Sequence, residues 1–342
     1  MGSYYRERFL KDQLFAGAGC ADAKGVYIWA DTDQRTLETG RALSESLLPG
    51  CDAPTHSRPA GEKDPLFAGL SEYDPSLAVE AVRARLGTDA RKVLAEQKSA
   101  TDTLQLVLDG GQARANKSIG ALDDVGVSLK GATVELQGPF SVGSTLSEDL
   151  LLEYVEGMRG TDLGWGRLTK ENLARVLGLH GVYTDLMRRT PYLARVRGSN
   201  LLFHILRSLE QAASGNEMVG ALGHPGDKLL VLSGHDTNLS NLSGMLDLSW
   251  SLPGYQKDET PPGGALMFSL WKEGDRTFVT TEYVAQSLDQ MRTLSPLTAG
   301  QPPLRQDVQI PACGDGGNKN CFWRAFQSVL EKAIDLRFAD AK

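Results

Sequence analysis

The sequence lacks any uninterrupted apolar run approaching the roughly 18 residues that a membrane-spanning helix needs. It also lacks an excess of basic residues, because 36 Lys and Arg stand against 43 Asp and Glu and give a net charge of −7. We therefore expect no membrane partner and no nucleic-acid partner. A small anionic substrate stays compatible with this charge, since a few local arginines can override the average field.

Cysteine is scarce, and its four positions show neither a CxxC motif nor a Cys/His zinc spacing. The cysteines form one pair near each end of the chain: Cys20, Cys51, Cys313 and Cys321. Their even number and the turn-rich sequence within each pair favour two disulfides, Cys20–Cys51 and Cys313–Cys321, in an oxidising compartment. The alternative is four free, buried thiols.

A signal peptide is also missing from the first residues, MGSYYRERFL, which contain neither a basic segment nor an apolar one. The cysteines thus predict a periplasmic or secreted protein, whereas the N-terminus shows no export signal. Either one of these indications misleads, or this N-terminus is not the native one.

The 342 residues, 41% hydrophobic and 23% charged, have an ordinary globular composition. Apolar patterns predict strands at Gly25–Ala30 and Lys228–Leu232 and a hairpin from Ala265 to Ala285, with helical periodicity between them. We predict an α/β fold: residues 1–75 and 191–342 form the sheet domain, and 76–190 an inserted all-helical domain. Further predictions are loops at 52–75 and Gly120–Gly138, and helices at Asn200–Ala213 and Cys321–Phe338.

The segment KLLVLSGHDTN, residues 228–238, places a histidine and an aspartate directly after an apolar strand. In α/β sheets the ligand crevice lies beyond the carboxyl ends of the strands, so His235 and Asp236 are candidate site residues. An equally simple interpretation is that Asp236 caps a helix beside a surface histidine. A metal site is not expected, because the other four histidines show no ligand spacing: His56, His180, His204 and His224.

A second strand end, Asp31-Thr-Asp-Gln-Arg-Thr36, places Arg35 just before a predicted helix. A guanidinium group there can hold a phosphate with paired N–H donors. The alternative is a salt bridge from Arg35 to Asp31 or Asp33. Four more arginines lie between Arg188 and Arg197, and most of them are expected on a solvated helix face.

Together these segments resemble the histidine acid phosphatases, in particular the bacterial periplasmic phytase branch. The resemblance runs nearly from end to end, in matching order, through YYRERFLKDQLFAGAGC, WADTDQRTLETGRAL, GWGRLT, LHGVYTDLMRRTPYLARVRG, SGHDTNLSNLSGML and LPGYQKDETPPGGALMF. The cysteine spacings also resemble two disulfides of that family. The resemblance implies a monomeric phosphomonoesterase that needs no cofactor and acts on phytate or a sugar phosphate through a phosphohistidine.

The resemblance also assigns roles. It implies that Asp236 is the general acid, that His235 contacts the phosphate and that Arg35 clamps it. Thr237 and Asp31 would line the substrate side, with Arg197, Met158 and His180 nearer the substrate's periphery. Because an aspartic acid donates its proton best in an acidic medium, the complete enzyme should have an acid pH optimum.

The family's nucleophile, a histidine in an Arg-His-Gly motif, has no counterpart among the five histidines of this chain. We therefore expect a chain that is N-terminally truncated, catalytically silent and poorly stable, in which Lys228–Leu232 or Gly25–Ala30 keeps an unpaired edge. The alternatives are a sugar phosphatase of the glucose-1-phosphatase type, or a non-catalytic protein that binds phosphate or inositol phosphates.

Overall fold

The computed structural model describes residues 1–17, 19–70, 73–110, 119, 126–313 and 320–340. Its helices are α1 (Gly2–Lys11), α2 (Gln34–Leu47), α3 (Pro65–Ala68), α4 (Pro75–Leu86), α5 (Ala90–Glu96), α6 (Lys98–Asp109), α7 (Pro139–Val155), α8 (Lys170–Met187), α9 (Pro191–Ser214), α10 (Asp236–Leu246), α11 (Leu288–Arg292) and α12 (Trp323–Ala333). Its strands are β1 (Val26–Ala30), β2 (Thr55–His56), β3 (Gly126–Lys130), β4 (Thr133–Gln137), β5 (Leu229–Ser233), β6 (Ala265–Glu273), β7 (Arg276–Ala285), β8 (Leu304–Asp307) and β9 (Asn320–Phe322).

A parallel sheet of three strands, in the order β2-β1-β5, positions the candidate site. β1 and β5 pair in register from Val26 opposite Leu229 to Ala30 opposite Ser233. The Asp31 N–H continues the ladder by donating to the Ser233 carbonyl at 3.0 Å. Because the strands are parallel, their polar C-terminal residues meet at one edge of the sheet.

A second, antiparallel sheet is organised around β7, which pairs with β6, β8 and β9. β7 is buried over its second half, where Tyr283 stacks on Trp250 with ring centroids 4.1 Å apart. The predicted hairpin from Ala265 to Ala285 corresponds to β6 and β7. β6, by contrast, is only half-buried from Ala265 to Leu270, although most of these side chains are apolar.

Residues 76–190 contribute most of a hydrophobic core that is built mainly from α4, α6, α7 and α8 and that also includes Leu193, Leu288 and Met291. This region is mostly helical but also contains the β3–β4 hairpin, so the predicted loop at 120–138 is wrong for its described part, 126–138. Alternation explains the hairpin, since Val127, Val134 and Leu136 are buried on one face. Gly131, with φ +61°, supplies the tight turn between the strands.

Three further predictions about local structure are wrong. The segment 52–75 is not only surface loop, because it contains β2 and α3, whose Leu66 and Phe67 are buried. α9 begins at Pro191, well before the predicted start, since proline suits the first helical position. The final segment forms β9 before α12, because its first residues add to the edge of β7.

Both predicted disulfides are present, Cys20–Cys51 and Cys313–Cys321, each with Cα atoms 5.3 Å apart. The alternative of four free thiols is therefore wrong. No helix within the described residues is long and apolar enough to cross a membrane.

Candidate active site

The carboxyl ends of β1 and β5 bring together residues that are about 200 positions apart in sequence. His235 precedes α10 as its N-cap residue, and its backbone N–H donates to Oδ1 of Asn238 at 2.8 Å. Gly234 permits this chain reversal, because a Cβ atom there would lie 2.5 Å from the Phe67 ring. Asn238 in turn donates to the Phe67 carbonyl at 2.7 Å, which ties the end of β5 to α3.

The His235 imidazole lies between a guanidinium group and a carboxylate. Nη2 of Arg35 donates to Nδ1 of His235 at 3.1 Å, and Nε2 of His235 contacts Oδ2 of Asp31 at 2.8 Å. Arginine can only donate, so Nδ1 must accept and the proton must lie on Nε2. With Nδ1 accepting from Arg35, the Nε2–H group of His235 donates to Asp31.

Arg35 also forms an ion pair with Asp33, with Nη2 and Oδ2 2.7 Å apart. The salt-bridge interpretation of Arg35 is therefore correct as far as Asp33 is concerned. However, the Arg35 side chain is 72% exposed and lines a cavity of about 1400 Å³. Exposed ion pairs are worth little, so an incoming phosphate can compete for the same guanidinium.

Asp236 occupies the first position of α10 and lines the same cavity as Arg35 and His235. The predicted alternative, in which Asp236 is the N-cap, is wrong because the cap position belongs to His235. Asp236 thus sits at a helix N-terminus, where the helix dipole and free N–H groups favour negative charge.

α7 and α8 contribute Glu148 and His180 to the wall of the same cavity. His180 is held between two hydroxyl groups, with Nδ1 3.0 Å from Oγ of Ser144 and Nε2 3.3 Å from Oγ1 of Thr184. Burial raises the pKa of Glu148, and the Asp236 charge raises it further, while His180 opposes the shift. Glu148 was not predicted, because a glutamate on a helix has no local sequence signature of a site.

The remaining predicted residues lie outside the cavity wall. Thr237 is half-buried as the second residue of α10, and Met158 is 41% exposed beyond the end of α7. Arg197, on α9, bonds to Tyr73, and burial followed by the nearby Arg188 charge lowers the pKa of its guanidinium. Among Arg188–Arg197, Arg189 is structural, because it donates to Ser243 and to the Leu248 carbonyl.

The cavity has a volume of about 1400 Å³ and extends from the site between the two sheets. Within the described ranges, no group of three or more His, Cys, Asp or Glu side chains is arranged to hold a metal ion. The other histidines have local partners: His56 stacks on Tyr27, and the ring of His204 contacts the Gly220 carbonyl.

Comparison with known proteins identifies the family of this chain. The model of the histidine phosphatase superfamily (branch 2) matches residues 146–284. Phytase AppA of Escherichia coli (strain K12) is 32% identical over 351 residues, which cover 97% of this chain and 80% of that protein. The chain belongs to branch 2 of the histidine phosphatase superfamily. The fold is accordingly the α/β histidine phosphatase fold with its helical insert.

The names of two further relatives refer to different ligands. Glucose-1-phosphatase of Providencia rettgeri is 26% identical over 98% of this chain and 80% of that protein. The Hafnia alvei phytase structure in complex with myo-inositol hexakis sulphate is 31% identical, with a TM-score of 0.86 over 98% of this chain and 84% of that chain. This histidine phosphatase is thus similar to phytases and to sugar phosphatases.

Proposed function

We propose that this histidine phosphatase binds phytate-like phosphomonoesters at the carboxyl ends of β1 and β5 and provides part of the machinery that hydrolyses them. The observation that supports the proposal is the contact of Arg35 with His235 beside Asp236, since these residues follow two different strands and line one cavity. Transfer of a phosphoryl group requires that the charge on its equatorial oxygens is neutralised and that the leaving oxygen is protonated.

Each residue of the site has its own proposed role. Arg35 donates N–H groups to the phosphate oxygens, and Asp31 orients the Nε2–H tautomer of His235. Asp236 in its acid form gives its proton to the leaving alcohol as the P–O bond breaks and a nucleophile bonds to phosphorus. In the second step the Asp236 carboxylate takes a proton from water, which attacks the phosphoenzyme and releases phosphate. Thr237, Arg197, Met158 and His180 are proposed to contact the rest of the substrate.

The nucleophile that the family uses, an imidazole within Arg-His-Gly, does not occur in this sequence. We do not assign this role to His235, because the family resemblance already gives it the role of contacting the phosphate. We therefore propose that these residues alone bind the substrate without turning it over. The two disulfides support an oxidising compartment, periplasmic or extracellular.

Phytate is the proposed substrate class because the cavity of about 1400 Å³ can admit a ligand with several phosphate groups. The Hafnia alvei phytase, bound to a hexasulphate of myo-inositol, supports the same class. The second candidate is a sugar phosphate, which the Providencia rettgeri relative supports. Competition between phytate and glucose 1-phosphate for the same site would rank the two.

The proposal is tested by calorimetric titration of the protein with phytate. Arg35→Ala should weaken binding by about 10-fold, a modest loss because the guanidinium is exposed. The matched control is Arg41→Ala on the same helix, since Arg41 is exposed and pairs with Glu38 on the surface. Equal affinities for the two variants would contradict the proposed site.

A turnover assay completes the test. The chain should release p-nitrophenol from p-nitrophenyl phosphate no faster than a His235→Ala/Asp236→Asn double variant. Faster release by the parent chain would show that it contains its own nucleophile and would overturn the second part of the proposal.

A further inference from the structure

Arg188 and Arg197 lie close together although both side chains carry a positive charge. Arg188 is the C-cap residue of α8, Arg197 belongs to the second turn of α9, and both residues are half-buried. Burial lowers the pKa of the Arg197 guanidinium, and the Arg188 charge lowers it further. The two groups are therefore near enough to repel each other, and we call them the arginine pair.

The arginine pair lacks a carboxylate partner in the part of the chain that the structure describes. Neither guanidinium forms an ion pair there, although the adjacent Arg189 forms two. Instead, Cζ of Arg188 lies 5.9 Å from the centroid of the Tyr183 ring, and Arg197 bonds to Tyr73. Partly buried like charges without a counter-ion cost free energy, so this arrangement indicates a place for an anion.

Arg188 lies near the wall of the cavity that contains the candidate active site. His180, Thr184 and Arg188 follow one another at intervals of four along α8 and its C-cap, so they lie on one side of the helix. His180 lines the cavity. Burial raises the pKa of Glu148, also on the cavity wall, the Asp236 charge adds to this shift, and the Arg188 charge opposes it. The Glu148 carboxyl thus lies within electrostatic reach of both Asp236 and Arg188.

α3 connects Arg197 with the candidate active site. Gly69, directly after α3, packs on the backbone of α9, because a Cβ atom at Gly69 would lie 3.2 Å from Cα of Arg197. α3 itself contributes Phe67 to the cavity wall, and the Phe67 carbonyl accepts from Asn238 in the first turn of α10. One short segment thus contacts both Arg197 and the helix that begins at the site.

We propose that the arginine pair is a second anion subsite, which binds a further phosphate group of a substrate whose reacting phosphate lies at Arg35. Two guanidinium groups can donate several N–H groups to one phosphate, and its charge relieves the repulsion between them. Arg188 determines specificity, because it supplies the second positive charge. A polyphosphate occupies both subsites at once, whereas a monophosphate occupies only one. The inference rests on the proposed function, since it needs the first phosphate at Arg35.

Calorimetric titration with phytate and with glucose 1-phosphate tests the second subsite. Arg188→Gln should weaken phytate binding at least about 10-fold and leave the affinity for glucose 1-phosphate unchanged. The matched control is Arg195→Gln, because Arg195 is an exposed arginine of α9, and it should change neither affinity. Equal phytate affinities of the Arg188→Gln and Arg195→Gln variants would overturn the inference.

Arg35→Ala distinguishes a failure of this inference from a failure of the proposed function. If Arg35→Ala weakens binding of both ligands while Arg188→Gln leaves phytate binding unchanged, the proposed site stands and the second subsite is wrong. If only Arg188→Gln weakens phytate binding, the anion subsite stands and the proposed function is contradicted. A parent chain that binds no phytate contradicts both.

Stability without ligand gives a readout that separates an anion subsite from a structural arginine. Arg188→Glu supplies a carboxylate next to Arg197, so it should raise the midpoint of urea denaturation while it weakens phytate binding at least about 10-fold. A structural arginine would behave in the opposite way. A lower midpoint in both Arg188→Glu and Arg188→Gln, with phytate affinity unchanged, would overturn the inference.

Discussion

β1 and β5 are neighbouring strands of equal length and similarly apolar sequence, yet their environments differ. In β1, which has a strand on each side, Ile28 and Ala30 are fully buried. In β5, four of the five residues are only half-buried, although they are leucine and valine. The difference teaches that burial of a strand depends on its neighbours as well as on its own sequence.

Truncation of apolar side chains should show the difference in burial between β1 and β5 most strongly, as a difference in the free energy of unfolding. Ile28→Ala should lower the free energy of unfolding by roughly 2–5 kcal/mol, because it leaves a cavity in a closed core. Leu230→Ala should cost only about 1 kcal/mol, since less apolar surface leaves the protein interior. Chemical denaturation of the two variants checks this, and equal losses would remove the distinction between the strands.

Burial of a carboxyl group in the wall of the cavity should make stability depend on pH. Burial raises the pKa of Glu259 to about 7, and only one of its side-chain oxygens accepts a hydrogen bond, from the Gln256 N–H. The native state therefore binds this proton more tightly than the unfolded state does. The free energy of unfolding should fall by roughly 3 kcal/mol as pH rises from about 4.5 to about 7.

Glu259→Gln should remove most of that pH dependence and raise stability above pH 7. The measurement is urea denaturation at pH values from 4 to 8, with Glu38→Gln as the control, because Glu38 is exposed and pairs with Arg41. An unaltered pH dependence in Glu259→Gln would show that the buried carboxyl is not its source. By contrast, the carboxylate at the end of β1, Asp31, is paired with His235.

The strands and helices that carry the site were predictable because their apolar patterns are local. α8 was predicted to the residue, and β1 and β5 to within one residue at each end. Glycine and polar residues concealed the β3–β4 hairpin, since its burial depends on contacts with α4 and α7. The local pattern of apolar residues gives no information about contacts between elements that are distant in sequence.

The sequence predicted which residues form the site, but it did not predict their contacts. His235, Asp236 and Arg35 stand at strand ends, which is where α/β folds place ligands. That Arg35 and Asp31 both contact the His235 imidazole could not be predicted, because these contacts depend on the register of β1 against β5. Glu148 was missed because its place on the cavity wall follows from how α7 packs on α8.

The account depends on Arg35 and His235 acting on one anion, and a double-mutant cycle for phytate affinity tests this most directly. Dissociation constants are measured for the parent chain, Arg35→Ala, His235→Ala and the double variant. Two groups that share a bound phosphate should couple by about 1 kcal/mol or more. Losses that add to within about 0.5 kcal/mol would mean that the two residues act independently, and would contradict the proposed site.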